Sequence, residues 1–153
     1  MEEAKALNSV SQFHQTFGHP IEKSPIIPSE ARCNLRVALL AEELDELKEA
    51  IQQKDLVEIA DALCDLQYVL SGAILEFGMG EKFSSLFAEV QRSNMSKACN
   101  TLEEVAQTKE HYLKRGDDSY HQEKDGKYLV FRKSDDKTLK SISYSPAELK
   151  PLL

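Results

Sequence analysis

The chain has 153 residues, 41% of them hydrophobic, and a formal net charge of −7. That length is enough for one domain with a real core, and the negative charge argues against a nucleic-acid polymer or an anionic membrane surface as partner. The three cysteines, Cys33, Cys64 and Cys99, form no CxxC or Cys/His cluster, so buried free thiols are expected rather than disulfides or a zinc site. Met1-Glu2-Glu3 lacks the basic and apolar pattern of a secretory leader, and no apolar run approaches the ~20 residues of a membrane span. A reducing, cytoplasmic setting is the expectation.

In chain order, Leu7, Val10, Phe13, His14 and Phe17 recur at helical spacing until Gly18-His19-Pro20, which predicts a short first helix over 5–17. Residues 18–28 hold three prolines with Ile21, Ile26 and Ile27 between them; the isoleucines predict an ordered loop lying on the core. Ser29 is a suitable N-cap and Glu30 suits a first turn, so a second helix is expected from Glu30 to Gln53. Lys54-Asp55 is a tight junction, and a third helix should follow to about Phe77, stopped by Gly78-Met79-Gly80. A fourth helix fits Lys82 to Val90, followed by a polar break over 92–97. Thr101 and Glu104 have capping-box spacing and open a helix to Lys114. The alternations 127–132 and 138–144 flank Ser134-Asp135-Asp136-Lys137 and predict a β-hairpin. The expected fold is all-α, a bundle of four to five helices with a small C-terminal β-hairpin. Residues 1–115 would form the helical domain, with 116–153 an extension packed on it.

The two long helices carry carboxylates where core residues belong. Glu43 and Glu46 project inside the arc of Leu35, Leu39, Leu40, Leu44, Leu47 and Ile51, with Glu42 at its edge. On the third helix Leu56, Ile59, Leu63, Leu66, Leu70, Ile74 and Phe77 make one face, and Glu58, Asp61 and Asp65 form a stripe flanked by apolar residues. No Lys or Arg occurs between Arg36 and Lys48, nor from Asp55 to Glu81. Carboxylates near a core without cations of their own must be neutralised, protonated or metal-bound. Two i, i+3 acidic pairs on adjacent antiparallel helices can reach one ion. An all-oxygen set suits Mg²⁺ or Mn²⁺ rather than zinc or copper, and the absence of Glu-x-x-His here counts against a di-iron bundle. A solvated acidic face is the competing reading, and the residues alone leave the two in balance. The third helix is apolar on both sides of its acidic stripe, which predicts burial in a homodimer.

Glu42-Glu43-x-x-Glu46, then Glu58-x-x-Asp61-Ala-Leu-x-Asp65-Leu-x-Tyr68 and Gly72, resembles the all-α nucleoside triphosphate pyrophosphohydrolases of the MazG-like superfamily. That superfamily also holds the dimeric dUTPases and the phosphoribosyl-ATP pyrophosphohydrolases. Ser93-Asn94-Met95-Ser96-Lys97 and Asp136-Lys-x-Leu-Lys140-Ser-x-x-Tyr144 are similar to the single-domain phage and bacterial MazG-like branch, which ranks the phosphoribosyl-ATP branch second. The resemblance implies Glu43, Glu46, Glu58 and Asp61 as Mg²⁺ ligands, with Asp65 one turn on in a similar placement. It implies Glu42 as a further ligand or the group positioning the attacking water, and Asn94 and Lys97 as contacts to sugar and phosphates. The implied reaction cleaves a nucleoside triphosphate between the α and β phosphates, giving monophosphate and pyrophosphate, as nucleotide-pool housecleaning in a homodimer or dimer of dimers. Arg36 would contact phosphate or pair with the acids, and Phe13 and His14 are candidates for the base pocket. The rival from another class is a non-catalytic helical regulator whose acidic groove binds a basic peptide.

Overall fold

A turn of two residues sets the geometry of the whole acidic region. In the computed structural model, which describes residue 2 and residues 4–153, the elements are α1 (Ala6–Phe17), α2 (Glu30–Gln53), α3 (Leu56–Glu76), α4 (Phe83–Met95), α5 (Leu102–Leu113), β1 (Ser119–Lys124), β2 (Lys127–Arg132) and a 3₁₀ turn (Lys150–Leu152). Met1 and Glu3, on which the leader expectation partly rests, lie outside the described residues. Between α2 and α3, Lys54 takes the left-handed conformation (φ 58°). Asp55 then caps α3, its carboxylate accepting from the amides of Val57 and Glu58 at 2.9 and 3.3 Å. The junction folds the two longest helices back on each other as an antiparallel pair. Among the described residues, no helix is long and apolar enough to cross a membrane.

Two compact units make up the chain, the first ending at Phe83 and joined by Leu153, the second Ser84–Leu152. In the first unit α1 packs on α3, and the loop after α1 is pinned to the end of α3 by Glu22 N–H to Leu75 O (3.0 Å) and Ile26 N–H to Phe77 O (3.1 Å). Gly78 is required there: its φ is +68°, and a Cβ would stand 1.8 Å from the Ser24 carbonyl oxygen. These backbone bonds pin the loop; of its three isoleucines Ile21 is half-buried, while Ile26 and Ile27 are exposed. Ser29 occupies the N-cap of α2, but its hydroxyl makes no cap bond. The apolar arcs also differ from expectation. The buried side of α3 is Ala62, Ser71, Gly72, Ile74, Leu75 and Glu76, while Leu56, Leu63 and Leu70 are 77%, 52% and 42% exposed.

In the second unit α4 runs through the expected polar break to Met95, because Arg92, Ser93 and Asn94 include no Gly or Pro to stop it. The expected C-terminal hairpin is present and one of its strands, 127–132, is the expected one, but its partner precedes it in the chain instead of following it. β1 pairs antiparallel with β2, Ser119 opposite Arg132 and Lys124 opposite Lys127. The turn is Asp125-Gly126 with φ 51° and 72°, the two positive angles a two-residue hairpin loop requires. The expected second strand is reduced to a short pairing of 137–139 on β2: the Phe131–Thr138 bridge, with Arg132 N–H to Lys137 O at 2.9 Å and Leu139 N–H to Val130 O at 2.8 Å. β1 escaped notice because Ser-Tyr-His-Gln-Glu-Lys is mostly exposed and carries no apolar alternation. Cys99, Val105, Val130 and Leu139 form this unit's core, with Tyr112 and Tyr128 against it. All three cysteines are free, but only Cys99 is buried.

Candidate active site

Arg36, Glu43 and Ala50 recur every seven residues on α2, as Ala62, Val69 and Glu76 do on α3. At one end of the seam between these helices opposite charges are paired. Arg36 Nη2 donates to Glu76 Oε1 at 2.6 Å, with the two side chains 8% and 1% exposed, and Arg32 pairs with the same carboxylate. His14 is buried. Its Nδ1 lies 2.8 Å from the Pro20 carbonyl and so carries the proton, leaving Nε2 to accept from Arg36 Nη2 at 3.3 Å. Burial alone would raise the Glu76 carboxyl; the hydrogen-bonded Arg36 and Arg32 bring it below its usual value. Burial lowers His14. Gly72 makes room for this cluster, since a Cβ would meet Arg36 Nη1 at 2.6 Å and His14 Nε2 at 3.1 Å. Arg36 therefore pairs with Glu76, which the sequence reading overlooked, and not with the acidic stripe. A lone carboxylate amid Ile74, Leu75 and Phe77 was the available signal.

Further along the seam the charges are unbalanced. Glu43 and Asp65 are half-buried, while Glu42, Glu46, Glu58 and Asp61 are exposed, so only two of the acids sit as close to the interior as their spacing implied. Glu43's carboxyl is raised, first by burial and then by the charges of Asp65, Glu46, Glu42 and Asp61. The acids of the two helices thus share one field. A groove of about 540 Å³ opens between the helices, lined by Glu46, Glu49, Asp55, Glu58 and Asp61 with Ala50, Gln53 and Ala62. Glu49 was missed, although it follows Glu46 by three residues; it accepts from Gln53 Nε2 at 2.9 Å. Among the described residues no three His, Cys, Asp or Glu side chains are gathered as a cage for an ion. The acids are strung along the stripe, as mutually repelling like charges are. As a donor set they are all oxygen and lack a basic partner, which fits a hard divalent cation.

An apolar pocket of about 200 Å³ lies beside the paired end, lined among others by Phe13, His14, His19, Leu39, Tyr68 and Val69. Phe13 stacks on His19 with ring centroids 5.6 Å apart and meets the Tyr68 edge at 5.6 Å. The sequence named Phe13 and His14; His19 and Tyr68 complete the aromatic wall. His14 contributes as a buried residue already bonded at both nitrogens.

Asn94 and Lys97 belong to the second unit, where Lys97 Nζ donates to Asn94 Oδ1 at 2.7 Å. Residues 141–145 are stitched along this block. Ser141 N–H reaches Lys97 O at 3.0 Å, Ser93 Oγ donates to the Tyr144 hydroxyl at 3.1 Å, and Ser145 N–H donates to Ser96 Oγ at 3.0 Å. The Tyr144 phenol is held below its ordinary value, first by the Ser93 hydroxyl and then by Lys140 and Lys97.

The fold is of the nucleotide pyrophosphohydrolase type, as the family match over residues 10–94 supports and in line with the superfamily resemblance. The chain belongs to the phosphoribosyl-ATP pyrophosphohydrolase family, whose model matches residues 10–94, a span holding α2, α3 and Asn94. A curated relative, the uncharacterized protein L479 of Acanthamoeba polyphaga mimivirus, is 34% identical over 86 residues, covering 54% of this chain and 32% of the relative. The chain thus spans about a third of the length of that relative.

Proposed function

We propose that this chain is a Mg²⁺-dependent nucleoside triphosphate pyrophosphohydrolase, with Mn²⁺ as a substitute, that releases pyrophosphate from a (d)NTP in nucleotide-pool housecleaning. The observation that carries the reading is the shared acidic field at Glu43 within the family-matched segment. A triphosphate is itself strongly anionic, so such a stripe meets it only through cations. Glu43, Glu46, Glu58, Asp61 and Asp65 are the residues that would hold Mg²⁺, which when bound supplies charge neutralisation and Lewis-acid activation. Glu42, exposed beside them, accepts the proton of the attacking water. The α–β bridging bond breaks, the bridging oxygen leaves with pyrophosphate, and the water oxygen stays on the monophosphate. Lys97, oriented by Asn94, binds phosphate through charge-assisted hydrogen bonds. The aromatic wall of Phe13, His19 and Tyr68 offers a flat apolar surface for a base.

The description of the matching family favours a second reading, hydrolysis of phosphoribosyl-ATP by the same acids. The exposed stripe of Leu56, Leu63 and Leu70 supports assembly as a homodimer or a dimer of dimers. Pyrophosphate and phosphate release from a panel of canonical and modified (d)NTPs and phosphoribosyl-ATP, with Mg²⁺ and beside Glu46→Ala, tests both readings. Release abolished in the variant names the reaction and its substrate. A folded wild-type protein silent on every nucleotide, with or without Mn²⁺, would overturn them.

A further inference from the structure

Lys140 lies outside the family-matched residues, yet it is held on the Ser93–Lys97 block. Its Nζ stands 4.3 Å from the centroid of the Tyr144 ring, and the hydroxyl of that ring accepts from Ser93, one turn before Lys97. Of the other cations of this unit, Arg92 pairs with Glu89 at 2.7 Å and Lys133 with Asp118 at 2.8 Å, while Lys127 donates to the neutral Asn100 side chain. Lys97 and Lys140 differ from the paired Arg92 and Lys133. Among the described residues neither makes an ion pair; one is oriented by the neutral Asn94 amide and the other by a phenol ring. In a chain of net charge −7, two lysines steered by neutral groups form a cationic patch whose charge is left for something else. Orientation without neutralisation is what an anion site requires: the side chains are ordered in advance and the positive charge is retained.

We infer that residues 93–97 and 140–145 form one polyphosphate-binding site, in which Lys140 is a second phosphate-contacting cation beside Lys97 and Tyr144 is the residue that positions it. The inference rests on the pyrophosphohydrolase reading for its choice of ligand, but the patch and its lysines are contained in the second unit. It adds Lys140 and Tyr144 to the substrate contacts and gives the C-terminal segment a role in binding.

Calorimetric titration of the full chain with inorganic tripolyphosphate in EDTA, where the acidic stripe has no cation to offer, tests the site directly. Binding should be measurable in wild type and in Glu46→Ala. It should weaken about tenfold or more in Lys140→Gln, the loss of one charge-assisted contact, and return in Lys140→Arg. Tyr144→Phe, which keeps the ring but loses the Ser93 bond, should weaken it less. With nucleotide and Mg²⁺, Lys140→Gln should raise KM and leave kcat nearly unchanged. A wild type that ignores tripolyphosphate, or a Lys140→Gln variant that binds it as tightly as wild type, overturns the inference. Turnover with an unchanged KM in Lys140→Gln also overturns it, and leaves the pyrophosphohydrolase reading standing. Lys140-dependent binding in a protein that turns over no nucleotide supports the site and sinks that reading instead.

Discussion

Arg36 and Glu43 stand seven residues apart on one line of α2, yet only Arg36 meets a counter-charge on α3. Arg36 is closed off by Glu76 and His14, while Glu43 meets Asp65, Asp61 and its own helix neighbours Glu42 and Glu46. One stretch of the seam is an internal salt-bridge cluster and the next is a set of like charges. The first holds the helices together. The second opposes that, and of its members Glu46 and Asp61 line the groove between the helices.

The cluster's contribution should be visible in Glu76→Gln. Removing the carboxylate leaves the Arg36 guanidinium buried without its partner, which costs about 3–5 kcal/mol, read by urea unfolding. Lys48→Ala, which removes an exposed i, i+3 pair with Asp45, should cost at most about 1 kcal/mol. Equal effects from the two substitutions would show that the buried cluster has no special weight.

The same cluster fixes the acid limb of the stability profile. His14 is held below its ordinary value by burial, and Glu76 below its own by the two arginines despite burial. Each is a lowered folded pKa, so its stabilisation is complete above the unfolded value and is lost as pH falls through the folded one. Loss from His14 begins below about pH 6.5 and loss from Glu76 below about pH 4.3, the ordinary values of the free groups. Melting temperature should decline in that window, and Glu76→Gln should flatten its lower part. A profile identical in shape to wild type would remove Glu76 from the account.

Gly72→Ala sets two effects of opposite sign against each other. Alanine improves helix propensity by about 1 kcal/mol, but the new methyl would stand 2.6 Å from Arg36 Nη1. A guanidinium end would ordinarily swing aside; here it is buried and bonded to Glu76 and His14. The clash should win, with a net loss of about 1–2 kcal/mol in chemical denaturation. A gain in stability would mean that the cluster is freer to move than its packing implies.

The helix order and the α2 and α3 boundaries were legible because Ser29, Asp55 and Gly78 punctuate a strong apolar period. The depth of the acids was less so. A helical wheel places Glu46 and Glu58 inside apolar arcs, but an arc says nothing about what covers it, and in this chain Leu44, Leu56 and Leu63 are themselves exposed. Glu76 went unread because its partners lie 40 and 44 residues away in sequence, where periodicity carries no information. Strand 127–132 was legible from its apolar alternation, but its partner β1 was missed because it has none, and the decisive signal for that turn was the dipeptide Asp125-Gly126.

Exposure of Leu56, Leu63 and Leu70 along one side of α3 sets an expectation for assembly. Their seven-residue spacing forms a continuous apolar strip, the pattern of a helix seam. Wild type should sediment as a dimer or larger, and Leu63→Glu should shift it toward monomer with little change in helical circular dichroism, since Leu63 is 52% exposed within its own chain. A wild-type monomer at tens of micromolar would refute the homodimer.

The most direct consequence of the unbalanced stretch concerns Glu43 itself. Its carboxyl is raised by burial and by four acidic neighbours, so ionising it at neutral pH opposes folding. The sign is the reverse of Glu76: its stabilising protonated form is favoured as pH falls. Without divalent cations, Glu43→Gln should therefore melt higher than wild type by a few degrees. Millimolar Mg²⁺ or Mn²⁺ should raise the wild-type melting temperature by mass action, and this rise should shrink or vanish in the variant as pyrophosphate release falls by about 100-fold. The two scans separate the explanations. A solvated acidic face predicts neither the higher cation-free melt nor the lost response, and a groove for basic peptides predicts the first without the second. Only a carboxylate set matched to a cation predicts both in the same residue.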